Sequence, residues 1–164
     1  MKIGILIVSF LLDGVVSKFL PINSIFYPLF TLVGLICSYS YFYGDKIFYY
    51  KCAFVLGFVY DLIYTDTFAF YAFLFLLIAF LITKISSVLN NNYINLVFLT
   101  IICIVLFRSI TYLLIVITGN ISFNAGIWFK GIYSSIILNI IYALILRLFT
   151  NFIDMNKRRK KRYY

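Results

Sequence analysis

The residues of this chain that could do chemistry are few and oddly placed. It has no His and no Glu, and its five acids are Asp13, Asp45, Asp61, Asp66 and Asp154. Asp13, Asp61 and Arg108 sit inside long apolar runs, where an ionisable group is costly enough to need a partner or a role. A proton or ion path is one such role. It would need a chain of titratable groups, and with neither His nor Glu there is none. The other role is structural: a buried carboxylate satisfied by hydrogen bonds. Ala53, Gly57 and Asp61 follow at i, i+4 and i+8 and so share one helix face, on which two small residues let a neighbouring backbone approach beside the carboxylate. Arg108 is expected to be held by an intramembrane acid, with Asp13 better matched in depth than Asp61. Asn139, also inside an apolar run, reads as interhelical glue rather than a ligand. Cys37, Cys52 and Cys103 are far apart and form neither a disulfide framework nor a metal spacing. No cofactor, metal or catalytic residue is indicated.

The elements that must position these residues are membrane spans. Of the 164 residues 65% are hydrophobic and 12% charged, and the mean hydropathy is +1.07. Soluble domains carry about twice that share of charge. The apolar stretches are continuous rather than alternating, which argues against a β-barrel. The expectation is an all-α membrane protein, a bundle of about six transmembrane helices. Its spans fall near residues 3–20, 25–43, 47–64, 68–85, 94–117 and 131–149, in a transmembrane domain of residues 1–152 with a basic tail at 153–164. The first helix is expected to be retained, because Val16-Ser17-Lys18 offers no convincing cleavage site. Pro28 is tolerable in the first turn of the second span. Aromatic clusters at Tyr39, Tyr41, Phe42 and Tyr43 and at Phe48, Tyr49 and Tyr50 suit headgroup level. Ala69, Ala72 and Ala79 form a second close-packing stripe, and the segment leading to Lys130 reads as an interfacial loop. No internal repeat is obvious.

Orientation follows from charge. With six spans, Lys2, Lys46, Lys51, Lys84, Arg147 and the tail residues Lys157, Arg158, Arg159, Lys160, Lys161 and Arg162 share one side. Only Lys18 and Lys130 lie on the other. Lys and Arg mark the cytoplasmic side, so both termini are expected there. The tail suits anionic lipid of that leaflet better than nucleic acid.

The run Phe54-Val55-Leu56-Gly57-Phe58-Val59-Tyr60-Asp61-Leu62-Ile63-Tyr64, followed by a short polar link and another span, resembles the central motif of the MreD family, bacterial rod shape-determining membrane proteins. Gly57 and Asp61 are the matching positions. Family members usually carry a Gly near the start of the next span; here Ala69 is the nearest small residue. The resemblance implies a non-enzymatic scaffold of the cell-wall elongation machinery in the bacterial inner membrane. Its implied partners are an MreC-like protein, a RodA-like glycosyltransferase, a class B penicillin-binding protein and MreB. It also implies a helical fold similar to the substrate-binding subunits of energy-coupling-factor transporters, and hence an alternative function as a vitamin-binding subunit.

Overall fold

The computed structural model describes residues 2–19, 27–65, 67–88, 92–119 and 121–160, without the side chains of Lys2 and residues 156–160. Six α-helices form the described chain: α1 (Lys2–Phe19), α2 (Phe30–Ser38), α3 (Lys46–Tyr64), α4 (Phe70–Val88), α5 (Tyr93–Ile117) and α6 (Ala125–Lys160). A 3-10 turn, Tyr39–Tyr41, extends α2. This is an all-α membrane bundle. Helices α3 to α6 are each long and apolar enough to cross a bilayer, which takes about 20 residues. Helix α1 is 18 residues long but carries Lys2, Asp13 and Lys18.

The second element departs from expectation. Instead of a helix from Ile25 to Tyr43, α2 has nine residues, all buried, a length of roughly 14 Å. Ile25 and Phe26 lie outside the described residues, as do Pro21 and Asn23. Pro28 explains the late start: it lacks an N–H and disfavours helical backbone at the preceding residue. Helix α2 is the centre of the bundle, touching α1, α4, α5 and α6. Leu32, Leu35 and Ile36 pack there with Phe75, Ile78, Ile82, Cys103 and Ile104.

The helices pair as antiparallel hairpins, α1 with α2, α3 with α4 and α5 with α6, and the α3–α4 seam is the most extensive. One end of the bundle gathers the end of α2, the starts of α3 and α5, and the later turns of α6. There the Tyr41 hydroxyl donates to Asp154 at 2.8 Å and Asn151 donates to the Tyr93 hydroxyl at 2.8 Å.

Several local expectations are corrected. Tyr39, Phe42 and Tyr49 are interior residues, and the Tyr49 hydroxyl donates to Leu35 O at 3.0 Å; Tyr43 and Phe48 are exposed. Residues 125–130 are helical rather than a loop, because Asn124 Oδ1 accepts from Gly126 N at 2.9 Å and starts α6 early. Ala72 and Ala79 are fully buried on α4, but Ala69 precedes that helix and has φ +58. Helix α6 runs on through residues 153–160 without a break.

Candidate functional site

The face of α3 bearing Ala53, Gly57 and Asp61 is buried, together with Tyr49 one turn earlier. It meets α4 backbone to backbone. A Cβ built on Gly57 would stand 2.6 Å from Ala72 Cα and would collide with Tyr71 O. Real carbon atoms settle at about 3.5–4.0 Å, so only glycine fits this crossing. One turn on, the Asp61 carboxylate, 3% exposed, reaches the start of α4. Its Oδ2 accepts from Ala72 N at 3.1 Å, and its Oδ1 accepts from the Thr67 hydroxyl at 2.6 Å and the Thr65 hydroxyl at 3.4 Å. The first N–H groups of a helix have no partner within it and favour a negative charge. Asp61 therefore acts as an N-cap supplied from the neighbouring helix. Asp66, in the middle of the link, lies outside the described residues.

Asp13 does the same for α2. Leu29 stands at the N-cap position of α2, with no capping side chain of its own. Instead Asp13, 4% exposed on α1, accepts from Phe30 N at 3.2 Å, Thr31 N at 3.2 Å and the Thr31 hydroxyl at 2.8 Å. The non-helical segment 27–29 just before α2 is held from the other side by α6. Asn139 accepts from Leu29 N at 2.8 Å and donates to Tyr27 O at 3.0 Å and Ser135 O at 2.6 Å. Non-helical backbone is tolerated at membrane depth only when protein satisfies its polar groups. Asp13 and Asn139 do this together.

The expected ion pair at Arg108 is not formed. Among the described residues neither Asp13 nor Asp61 bonds it, since both carboxylates are committed to helix termini. Arg108 Nε donates to Ser135 Oγ at 2.8 Å, and its guanidinium lies 5.0 Å from the centroid of the Tyr27 ring, a cation–π contact. Tyr60 ties the two halves of this region together, packing on Phe10 of α1, Tyr64 of α3 and Tyr71 of α4. The Tyr64 hydroxyl, donating to Phe10 O at 3.1 Å, lies against Gly14. Sequence reasoning singled out Asp13, Asp61, Gly57 and Arg108 but missed Thr31, Thr67, Tyr27 and Ser135. A Thr beside a helix start was the available signal for the first two. Lys157, Arg158, Arg159 and Lys160 lie in the last turns of α6 but beyond the described side chains, and Lys161 and Arg162 lie outside the described residues.

Chemically, this arrangement fixes backbone. Both buried acids have both oxygens occupied, and among the described residues no group of His, Cys, Asp or Glu could hold a metal. No curated protein and no solved structure matches the chain. A family model, described as rod shape-determining protein MreD, matches residues 1–153. That match takes in every described hydrogen bond of Asp13, Asp61, Arg108 and Asn139. The chain therefore belongs to the MreD family, whose members have a structural role in determining rod shape.

Proposed function

We propose that this protein is a non-enzymatic scaffold of the cell-wall elongation machinery in the bacterial inner membrane. In this reading it holds an MreC-like partner, with a RodA-like glycosyltransferase, a class B penicillin-binding protein and MreB as further members of the complex. The observation that carries the reading is the family match over residues 1–153. The geometry supports it: the buried acids are consumed in capping α2 and α4, which stiffens the bundle and leaves no carboxylate of theirs for turnover. Both termini face the cytoplasm in this proposal. In its support, Lys46, Lys51, Lys84 and Arg147 fall on elements that meet at one end of the bundle, and basic residues are retained on the cytoplasmic side.

The test is complementation of a depletion strain, with affinity purification of the tagged chain. Restored rods and recovery of a coiled-coil, single-span MreC-like protein are expected. A chain that restores shape without retaining any such protein contradicts the scaffold reading. Recovery of a stoichiometric vitamin in its place would move the chain to the energy-coupling-factor alternative.

A further inference from the structure

Polar groups from α3, α4, α5, α6 and the segment before α2 meet toward the end of the bundle opposite the basic one. Arg108 stands about 14 Å in from the end of α5 at Ile117. Its guanidinium spends Nε on Ser135 of α6 and lies over the Tyr27 ring, but its two terminal amino groups donate to no described residue. The hydroxyls of Tyr60 and Tyr71, both within electrostatic reach of Arg108, likewise have no hydrogen bond among the described residues. These atoms are not sealed off. The Tyr39 hydroxyl is the single unpaired buried side-chain polar atom among the described residues, so the others keep accessible surface, and Tyr27 is 37% exposed. A guanidinium with most of its N–H donors idle inside a membrane span calls for an acid, and the described chain supplies none. Asp13 is within the same reach, yet its oxygens are committed to the start of α2. Those of Asp61 are committed to α4 and its link, and Asp45 and Asp154 stand at the basic end.

We propose that Arg108 and the Tyr60 and Tyr71 hydroxyls bind the carboxylate of a small organic acid that enters from this end of the bundle. The planar guanidinium fork matches a carboxylate, and the two phenolic O–H groups are neutral donors to the same anion. The rings of Tyr60 and Tyr71, 5.0 Å apart at their centroids, and of Phe107, 5.8 Å from Tyr71, supply apolar surface for the organic part. One charge is what the site takes: a single cation faces it with the Asp13 carboxylate close by, so a dianion would keep an uncompensated charge at low dielectric. The converging groups come from α3, α4, α5 and α6, so the occupant is a slim molecule between helices and not a helix packed on the outside of the bundle. Such binding is additional to the scaffold role and does not rest on it.

The experiment uses the full chain in nanodiscs and a buffer free of carboxylates. Acetate, butyrate and benzoate are compared with acetamide, butyramide and benzamide and with chloride. The readouts are the melting temperature and the rate at which phenylglyoxal modifies Arg108, followed on its peptide by mass spectrometry. At least one carboxylate is expected to raise the melting temperature and slow the modification at concentrations where its amide and chloride do neither. Tyr71→Phe, which keeps the ring, should melt close to wild type without ligand. It should need roughly tenfold more of that carboxylate for the same protection, the loss of one hydrogen bond to a charged group. Arg108→Gln should abolish the melting response, and Tyr71→Phe keeps the test decisive even if Arg108→Gln folds poorly. No response to any of the three acids, equal protection by chloride or an amide, or a response that survives Arg108→Gln would each overturn the proposal. So would finding that the acid belongs to another protein. In cell membranes dicyclohexylcarbodiimide would then join it to the amine introduced by Arg108→Lys, forming an amide while the carbodiimide takes up the water as a urea. Restored rods and a retained partner are scored separately, so this proposal and the scaffold reading can each fail alone.

Discussion

Gly57→Ala is the smallest change that should damage this bundle severely, and its cost can be worked from the α3–α4 crossing. The added methyl would lie 2.6 Å from Ala72 Cα, with α4 backbone rather than a flexible side chain in its path. Reaching an ordinary carbon–carbon separation of about 3.6 Å requires the helices to part by about 1 Å. Overpacking of this kind costs about 1–3 kcal/mol. The same movement carries Ala72 N away from Asp61 Oδ2, which it meets at 3.1 Å. Lengthened to about 4 Å, that contact is no longer a hydrogen bond, and loss of a cap costs about 0.5–2 kcal/mol. The two terms together give about 1.5–5 kcal/mol.

Because the second term passes through Asp61, the two sites must be coupled. In a variant that already carries Asp61→Ala there is no cap left to lose, so Gly57→Ala should cost about 1 kcal/mol less there than in the wild type. Reversible unfolding in mixed micelles, by SDS titration, measures all four corners of that cycle. Strictly additive energies would refute the coupling. A Gly57→Ala protein within about 0.5 kcal/mol of wild type would refute the close crossing itself.

Asp61→Asn should be milder, at about 1 kcal/mol: its amide oxygen can still take Ala72 N, while its NH₂ turns to a Thr67 hydroxyl able to accept, and rods should be restored at normal membrane abundance. An Asp61→Asn protein that is abundant yet fails to restore rods would return the ion-coupled role to consideration. Ala69→Gly should stabilise by about 0.5–1 kcal/mol in the same titration, because Ala69 occupies the left-handed region at φ +58; an unchanged or lowered stability would count against that turn. Arg108→Gln should cost less than the roughly 3–5 kcal/mol of a broken buried ion pair, since its partners are the neutral Ser135 and Tyr27; a loss in that higher range would argue for an acid at Arg108 after all. Asn139→Leu should cost about 1–3 kcal/mol, as it strands the buried Leu29 N–H that Asn139 accepts; a near-native melting temperature would show that segment 27–29 is held otherwise.

What was legible in the sequence was whatever shows as spacing along one helix. The Ala53–Gly57–Asp61 face could be read because residues four apart must share a side, and that face is the one α4 covers. Ala69, the small residue nearest the start of the fourth span, has φ +58, a conformation glycine adopts freely, and nothing in the sequence showed it. Whatever depends on unpaired backbone was not legible. Residues 25–43 form one apolar stretch, and hydropathy alone cannot reveal that residues 27–29 are non-helical and that α2 begins only at Phe30. Pro28 was the cue, but proline is also welcome in a first turn. The misassignment at Arg108 has the same origin. Matching charges by depth pairs Asp13 with Arg108, yet the free N–H groups of Phe30 and Thr31 compete for that carboxylate and occupy both its oxygens.

This competition also explains why acids occur where they do. In the first two hairpins the first helix carries a buried Asp, and the second helix begins at buried Phe30 in one and at half-buried Phe70, close to exposed Phe68, in the other. Each start leaves N–H groups without a partner inside the helix, and the carboxylate on the adjacent helix, with the right sign of charge, accepts from two of them at α2 and from one, Ala72 N, at α4. The third hairpin differs at that one point. Helix α6 begins at Ala125, where Asn124 is solvent-facing and caps it locally. Helix α5 then has no buried helix start to serve and carries no acid; its one charge, Arg108, turns to a serine hydroxyl and an aromatic face instead. Each of the two buried acids therefore sits beside the start of the next helix. A helix start hydrogen-bonded to the helix before it resists sliding, so the bundle keeps its register.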